Sequence, residues 1–104
     1  MIVNVNIPSG AARIAIPSRF DFSMNGKFIK SYIPLLDDVA IREIEIELSE
    51  VDFMDSSALD MLTLLKERAT AANKSISLLN TSTLISRILE ITDLSGVFNV
   101  RHAV

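Results

Sequence analysis

The residues with the clearest chemical potential lie in VDFMDSSALDML, residues 51–62, where an apolar run ends in one acid and two hydroxyls, Asp55-Ser56-Ser57. A serine nucleophile needs a positioned base, and the GxSxG turn that presents such a serine is absent. The single histidine, His102, stands two residues from the C-terminus and is expected to be a solvated tail residue. The chain has no GxGxxG, no GxxxxGK[ST] and no HExxH. Asp37-Asp38 reads as a solvated loop pair. Glu43, Glu45 and Glu47 alternate along one strand, but side chains at two-residue spacing stand about 7 Å apart, too far to share an ion without other ligands. They read as a solvated acidic face that also protects the sheet. No catalytic residue, metal site or cofactor is expected, and the chain is read as a non-enzyme.

Asp55, Ser56 and Ser57 are all preferred helix N-cap types, and Ser57-x-x-Asp60 resembles a capping box with aspartate in place of glutamate. Capping alone would account for the composition of the stretch. The same junction has a second capacity. A helix start carries unsatisfied backbone N–H groups and the positive end of the helix dipole, so a phosphate on a serine there meets donors. Such a modification would change surface charge and bulk more than fold.

Positioning these residues requires a strand before them and a helix after them. REIEIEL, residues 42–48, alternates Ile44, Ile46 and Leu48 against the three glutamates, a period of two. From Ser57 to Ala72 the period becomes helical: Ala58, Leu62, Leu65, Ala69 and Ala72 share a stripe, flanked by Leu59 and Met61. Leu64 falls off the stripe and is expected to be exposed. Asn73, tolerant of the left-handed conformation, can end this helix.

Upstream, Ile2–Ile7 and Ala12–Ile16 flank the turn signal Pro8-Ser9-Gly10 and predict an N-terminal hairpin, limited by Pro17. A helix is expected from about Met24 to Tyr32, capped by Asp21 or Ser23 and ended by Pro34. Downstream, Ser75–Leu79 predicts a strand and Leu84 to Ile91 a helix capped by Thr81 or Ser82. Asp93-Leu94-Ser95-Gly96 closes that helix, and Val97–Val100 predicts a last strand. The order β-β-α-β-α-β-α-β implies an α/β domain: a mixed sheet of four to five strands flanked by three or so helices.

Size and composition bound the rest. A chain of 104 residues is expected to be one domain, residues 1–104, with a single core. The absence of cysteine excludes disulfides and thiolate chemistry and suits a reducing compartment. The net charge of −3 comes from 10 basic and 13 acidic residues without a basic stripe, which disfavours nucleic acid as a partner. No secretory signal or spanning segment is visible, so direct membrane insertion is not expected and the location is read as cytoplasmic.

VDFMDSSALDMLTLLKERA resembles the central motif of STAS domains, especially the bacterial anti-sigma factor antagonists, which runs near F-[MI]-D-S-[ST]-G-L-G. SRFDFS, residues 18–23, is similar to the family's G-E-L-D-x-x segment, and Asp93-Leu94-Ser95-Gly96-Val97-Phe98 to its late D-x-S-G-L-F segment. The three agree in order and spacing over residues 10 to 100. The resemblance implies a phosphorylatable serine at the start of the second helix, which maps onto Ser56, leaving Ser57 to the cap. It also implies a serine kinase of histidine-kinase-like ATPase fold, often the anti-sigma factor itself, and a PP2C-type phosphatase. The unphosphorylated form would bind a kinase-like anti-sigma or response-regulator partner and the phosphorylated form release it. Asp21 and Asp55 would lie near the serine and, with Ser57, Met61 and Leu64, contribute to the partner surface. Two positions depart from the family pattern, Ala58 and Asp60 each standing where glycine is common. Asp60 is expected to bring a charge into the first helical turn, repelling a phosphate modestly. STAS-like domains also occur in membrane-transport assemblies, so a non-phosphorylated structural subunit of an ABC-type assembly is the alternative.

Overall fold

The computed structural model describes residues 1–6, 8–94 and 96–102. Strands β1 (Ile2–Asn6) and β2 (Ala11–Ala15) form the expected antiparallel hairpin, with Asn6 opposite Ala11. A short strand β3 (Arg19–Phe20) and a 3₁₀ turn (Phe22–Met24) lead into helix α1 (Asn25–Asp37). Then follow β4 (Glu43–Glu47), the short β5 (Phe53–Met54), α2 (Ser56–Ala71), β6 (Ser75–Thr81), α3 (Thr83–Ile91) and β7 (Asn99–His102). Ile7, Ser95 and the His102 side chain, each of which carried an expectation, lie outside the described residues.

The main sheet has the order β1-β2-β4-β6-β7, and every pair after the hairpin is parallel. Each crossover therefore steps one strand in the same direction. Right-handed connections of that kind place all three helices on one face of the sheet. The buried side chains agree: Phe28 and Tyr32 of α1, Leu62 and Leu65 of α2, and Ile85 and Leu89 of α3 share one cluster with Ile14, Ile44, Ile46, Ile76 and Leu78. Strict alternation along β4 thus gives one isoleucine face under the helices and one glutamate face on the bare side.

That bare side corrects the expectation of a solvated acidic face. β4 is the central strand, and Glu45 is buried there, accepting from Arg13 at 3.3 Å on β2 and lying 3.8 Å from Arg101 on β7. Ser77 donates to Glu43 (3.1 Å) and Asn80 to Glu47 (2.6 Å). Burial pushes the Glu47 carboxyl up, but the Ser49 backbone N–H and hydroxyl and the Asn80 amide outweigh it, and the net shift is downward. Cross-strand neighbours set this network, and a linear pattern of alternating glutamates does not contain them.

Three boundaries also move. α1 runs through Pro34 to Asp37, because burial of Leu35 draws the last turn onto the core. Pro34 lacks the N–H that would bond the Lys30 carbonyl, a local cost that the tertiary burial of this turn must outweigh. β6 extends to Thr81 past a left-handed Asn80, with a register shift against β7 between Leu79 and Thr81. The last strand begins at Asn99, not Val97, since Val97 N–H bonds Leu94 in a turn that sinks Phe98 into the core. The expected stops at Asn73 and Asp93 both adopt positive φ, 60° and 59°, and Ser82 caps α3 by accepting from Ile85.

Candidate functional site

Two segments far apart in sequence meet at the start of α2. Ser18 carbonyl accepts from the N–H groups of Asp52 (2.9 Å) and Phe53 (3.3 Å), and β3 pairs with β5 in parallel, Arg19 with Phe53 and Phe20 with Met54. Asp21 and Asp55, the next residue of each strand, therefore leave neighbouring strand ends. The sequence contains no signal for this two-stranded sheet, because each member is only two residues long. Arg19 lies 4.3 Å over the Phe53 ring and also reaches Asp21 at 3.3 Å, closing the junction from outside.

Asp55 is the N-cap of α2. Its backbone is extended, and its carboxylate accepts from Ala58 N–H at 3.1 Å. This corrects the assignment of the cap to Ser57 and dissolves the Ser57-x-x-Asp60 box. A carboxylate on the first suitable residue after the strand takes the third helical N–H, so the helix begins one residue earlier, at Ser56. Ser56 and Ser57 then occupy the first two helical positions, whose N–H groups have no intrahelical acceptor. Ser56 is exposed and Ser57 half-buried. With this start, Asp60 is the fifth helical residue, one turn beyond Ser56 and not in the first turn.

Asp21 caps the 3₁₀ turn, accepting from the Ser23 N–H at 3.0 Å and from the Ser23 hydroxyl. The Ser23 hydroxyl, supported by Arg19, holds the Asp21 carboxyl below its usual value. Directly after it, Phe22 turns outward with 61% of its surface exposed, while Phe20 is fully buried. Phe22, Asn25, Ser57, Asp60, Met61 and Leu64 line a shallow depression of about 230 Å³ beside Ser56. Leu64 is 38% exposed, as its position off the stripe predicts; Met61 is mostly core, with only its margin in the depression.

α1 and α2 hold this surface in place. Phe20, Phe28 and Tyr32 stack edge to face with centroids 5.2 Å apart, and the Tyr32 hydroxyl accepts from Arg68 at 2.7 Å. The structure thus brings Asp21 and Asp55 to neighbouring strand ends at the start of α2, where Ser56 follows, and Ser57, Met61 and Leu64 into one depression. Phe22, Asn25 and Arg19 were not foreseen. For Phe22 the sequence pattern misleads: two residues after Phe20 it is in phase with it along a strand, and it turns outward only because the chain leaves β3 for the 3₁₀ turn at that residue. No helix among the described residues is long and apolar enough to cross a membrane.

The family model described as "Mlab, STAS domain" matches residues 3–101. The chain belongs to the STAS domain family. A STAS-domain containing protein of Pseudomonas aeruginosa strain UCBPP-PA14 is 37% identical over 89 residues, which cover 84% of each chain. Two solved structures share the fold at lower identity. The anti-sigma factor antagonist SpoIIAA in its unphosphorylated form superimposes with a TM-score of 0.70 at 16% identity, covering 86% of this chain and 81% of that one. A sulfate transporter family protein from Wolinella succinogenes gives 0.78 at 15% identity, covering 94% and 82%. The STAS fold therefore serves both kinds of protein.

Proposed function

We propose that this chain is a single cytoplasmic STAS module of the anti-sigma factor antagonist type, a binding protein and not a catalyst, switched by phosphorylation of Ser56. The observation that carries the reading is the exposed Ser56 hydroxyl at the first position of a capped helix, beside an apolar depression. Unphosphorylated, the Phe22, Met61 and Leu64 surface docks a kinase-like partner of histidine-kinase-like ATPase fold. A phosphate at Ser56 adds about −1.5 to −2 charges. It joins Asp21, Asp55 and Asp60, and desolvating that cluster against a partner becomes unfavourable. The partner is released, and a PP2C-type phosphatase restores the binding form. Asp55 already occupies the third helical N–H, so the phosphate has the N–H groups of Ser56 and Ser57 to meet, and the helix keeps its cap.

Incubation with the cognate kinase and ATP is expected to give one phosphoserine, at Ser56, by mass spectrometry. Equal phosphorylation of Ser56→Ala removes the assignment. Ser56→Asp and Ser56→Glu are expected to weaken partner binding while Ser56→Ala retains it; equal affinities by calorimetry remove the switch. The similarity to a sulfate transporter family structure favours a second reading, a constitutive, non-phosphorylated subunit of a membrane-transport assembly, of which an ABC-type assembly is the case to test. Capture of transporter ATPase subunits, without a kinase and without dependence on Ser56, would select it.

A further inference from the structure

β1 stands at one end of the sheet, with no strand beyond it among the described residues. Its residues, Ile2-Val3-Asn4-Val5-Asn6, carry no charge and no proline, and all five are exposed: Ile2 by 66%, Val3 by 37% and Val5 by 48%. Natural sheets guard such edges with charges, prolines or bulges. The opposite edge of this sheet has such guards, since β7 carries Arg101 and meets β6 across a register shift. β1 has none.

The direction of its backbone groups follows from the bonds beside it. Gly10 carbonyl accepts from Glu43 N–H, and Ile16 N–H donates to Glu47, so the even-numbered residues of β2 face β4. Ala11, Arg13 and Ala15 consequently face β1, where they oppose Asn6, Asn4 and Ile2. In an antiparallel ladder those are the hydrogen-bonded pairs. Val3 and Val5 are left with both N–H and C=O directed away from the sheet.

We propose that β1 pairs antiparallel with β1 of a second copy of this chain, about a twofold axis at Asn4, joining two five-stranded sheets edge to edge. In that register Val3 faces Val5 of the second copy, and the reverse. The outward groups of both residues then exchange hydrogen bonds, and an isologous contact closes on itself. On the helical face the valine pairs continue the row of Ile14 and Ala12; on the bare face Asn4 meets its own image.

Charge selects a second copy over a foreign charged strand. The edge offers no counter-charge to an acidic or basic segment, whereas pairing with itself brings no like charges together. The nearest ionised side chain of the bare face is Arg13 on β2, opposite Asn4. Its two copies would lie roughly 14 Å apart, three strand spacings, beyond the Debye length of about 8 Å. Each is also tied to Glu45. Paired five-residue strands form an interface at the small end of specific contacts, so the dimer is weak and concentration-dependent.

The chain has no cysteine, which permits a direct test of the register. Asn4 at the axis is a non-hydrogen-bonded pair with Cα atoms about 4.5 Å apart, within the span of a disulfide. Mild oxidation of Asn4→Cys is expected to give covalent dimer about tenfold faster than Val39→Cys, an exposed loop position, because pairing raises the effective thiol concentration. Sedimentation of the wild-type full chain should show a dimer that grows with concentration. Val5→Pro removes an outward N–H while sparing the bonds to β2. It is expected to abolish the dimer, and Val3→Lys is expected to do the same without risk to β1. A monomer at every concentration overturns the proposal. So does equal crosslinking at positions 4 and 39, or a dimer that survives Val3→Lys.

Discussion

At the scale of single residues, the start of α2 separates three neighbours of similar chemistry by position alone. Asp55 spends its carboxylate on the Ala58 N–H, Ser56 points to solvent, and Ser57 edges the depression. Asp55→Ala should therefore cost about 1 kcal/mol of stability in urea or thermal unfolding, the usual worth of an N-cap. Ser57→Ala should stay within about 0.5 kcal/mol of wild type; a larger loss than for Asp55→Ala would return the cap to Ser57. Asp21 gives a pH signature. Its carboxyl is held below the usual value of 3.8 by the Ser23 hydroxyl and Arg19. In acid the unfolded chain takes up that proton first, so the stabilisation is complete above the ordinary carboxylate pKa and is lost as pH falls through the folded one. Urea midpoints followed from neutral to acidic pH should fall less for Asp21→Asn than for wild type. Parallel curves would show that Asp21 makes no such contribution.

At the scale of elements, period made α2, α3, β2 and β4 legible, because each buries one regular face, while capping chemistry bounded the start of α3 but not that of α2. The residues that would form the partner surface were legible in part. Leu64 stands off the core stripe, where spacing puts it, whereas Ser56 is singled out by the family resemblance alone, and the pairing of β3 with β5 joins four residues across a gap of more than thirty and leaves no periodic trace. Pro34 misleads for a different reason: the helix continues through it at the cost of one ladder bond, and tertiary burial of Leu35 overrides that cost. Lys74 is a further case. It follows Asn73 in what reads as a polar turn, yet it is buried, and its ammonium donates to the carbonyls of Asp38 (2.8 Å) and Ile41. These acceptors lie where α1 turns into β4, an end of a helix that favours a cation. Lys74→Met keeps the aliphatic stem and removes the donors, leaving two carbonyls short of a partner. A loss of about 2 kcal/mol is expected by denaturant unfolding. A neutral result would mean that water replaces the ammonium at that junction.

At the scale of the whole molecule, the dominant feature is asymmetry: three helices and the core on one face of the sheet, a paired polar network on the other. None of Asp21, Ser56, Ser57, Met61 and Leu64 lies on β1, so a dimer through that edge would carry two copies of the α2 surface. The asymmetry can be tested on adjacent residues of one strand. Ile44 lies beneath the helices and is fully buried within the cluster; Ile44→Ala leaves a cavity there and should cost about 2–5 kcal/mol. Glu45, the next residue, is nearly as buried, but the side chains of its partners Arg13 and Arg101 are 47% and 61% exposed. Glu45→Gln removes the charge while keeping shape and hydrogen-bonding capacity, and ion pairs with such open partners are worth about 1 kcal/mol or less. Similar burial thus predicts dissimilar costs, because one side chain holds layers together and the other lies across a surface. Unfolding of both variants should remain a single transition with the wild-type dependence on denaturant, since one core serves the entire sheet. A loss at Glu45→Gln equal to that at Ile44→Ala would place a second structural centre on the bare face.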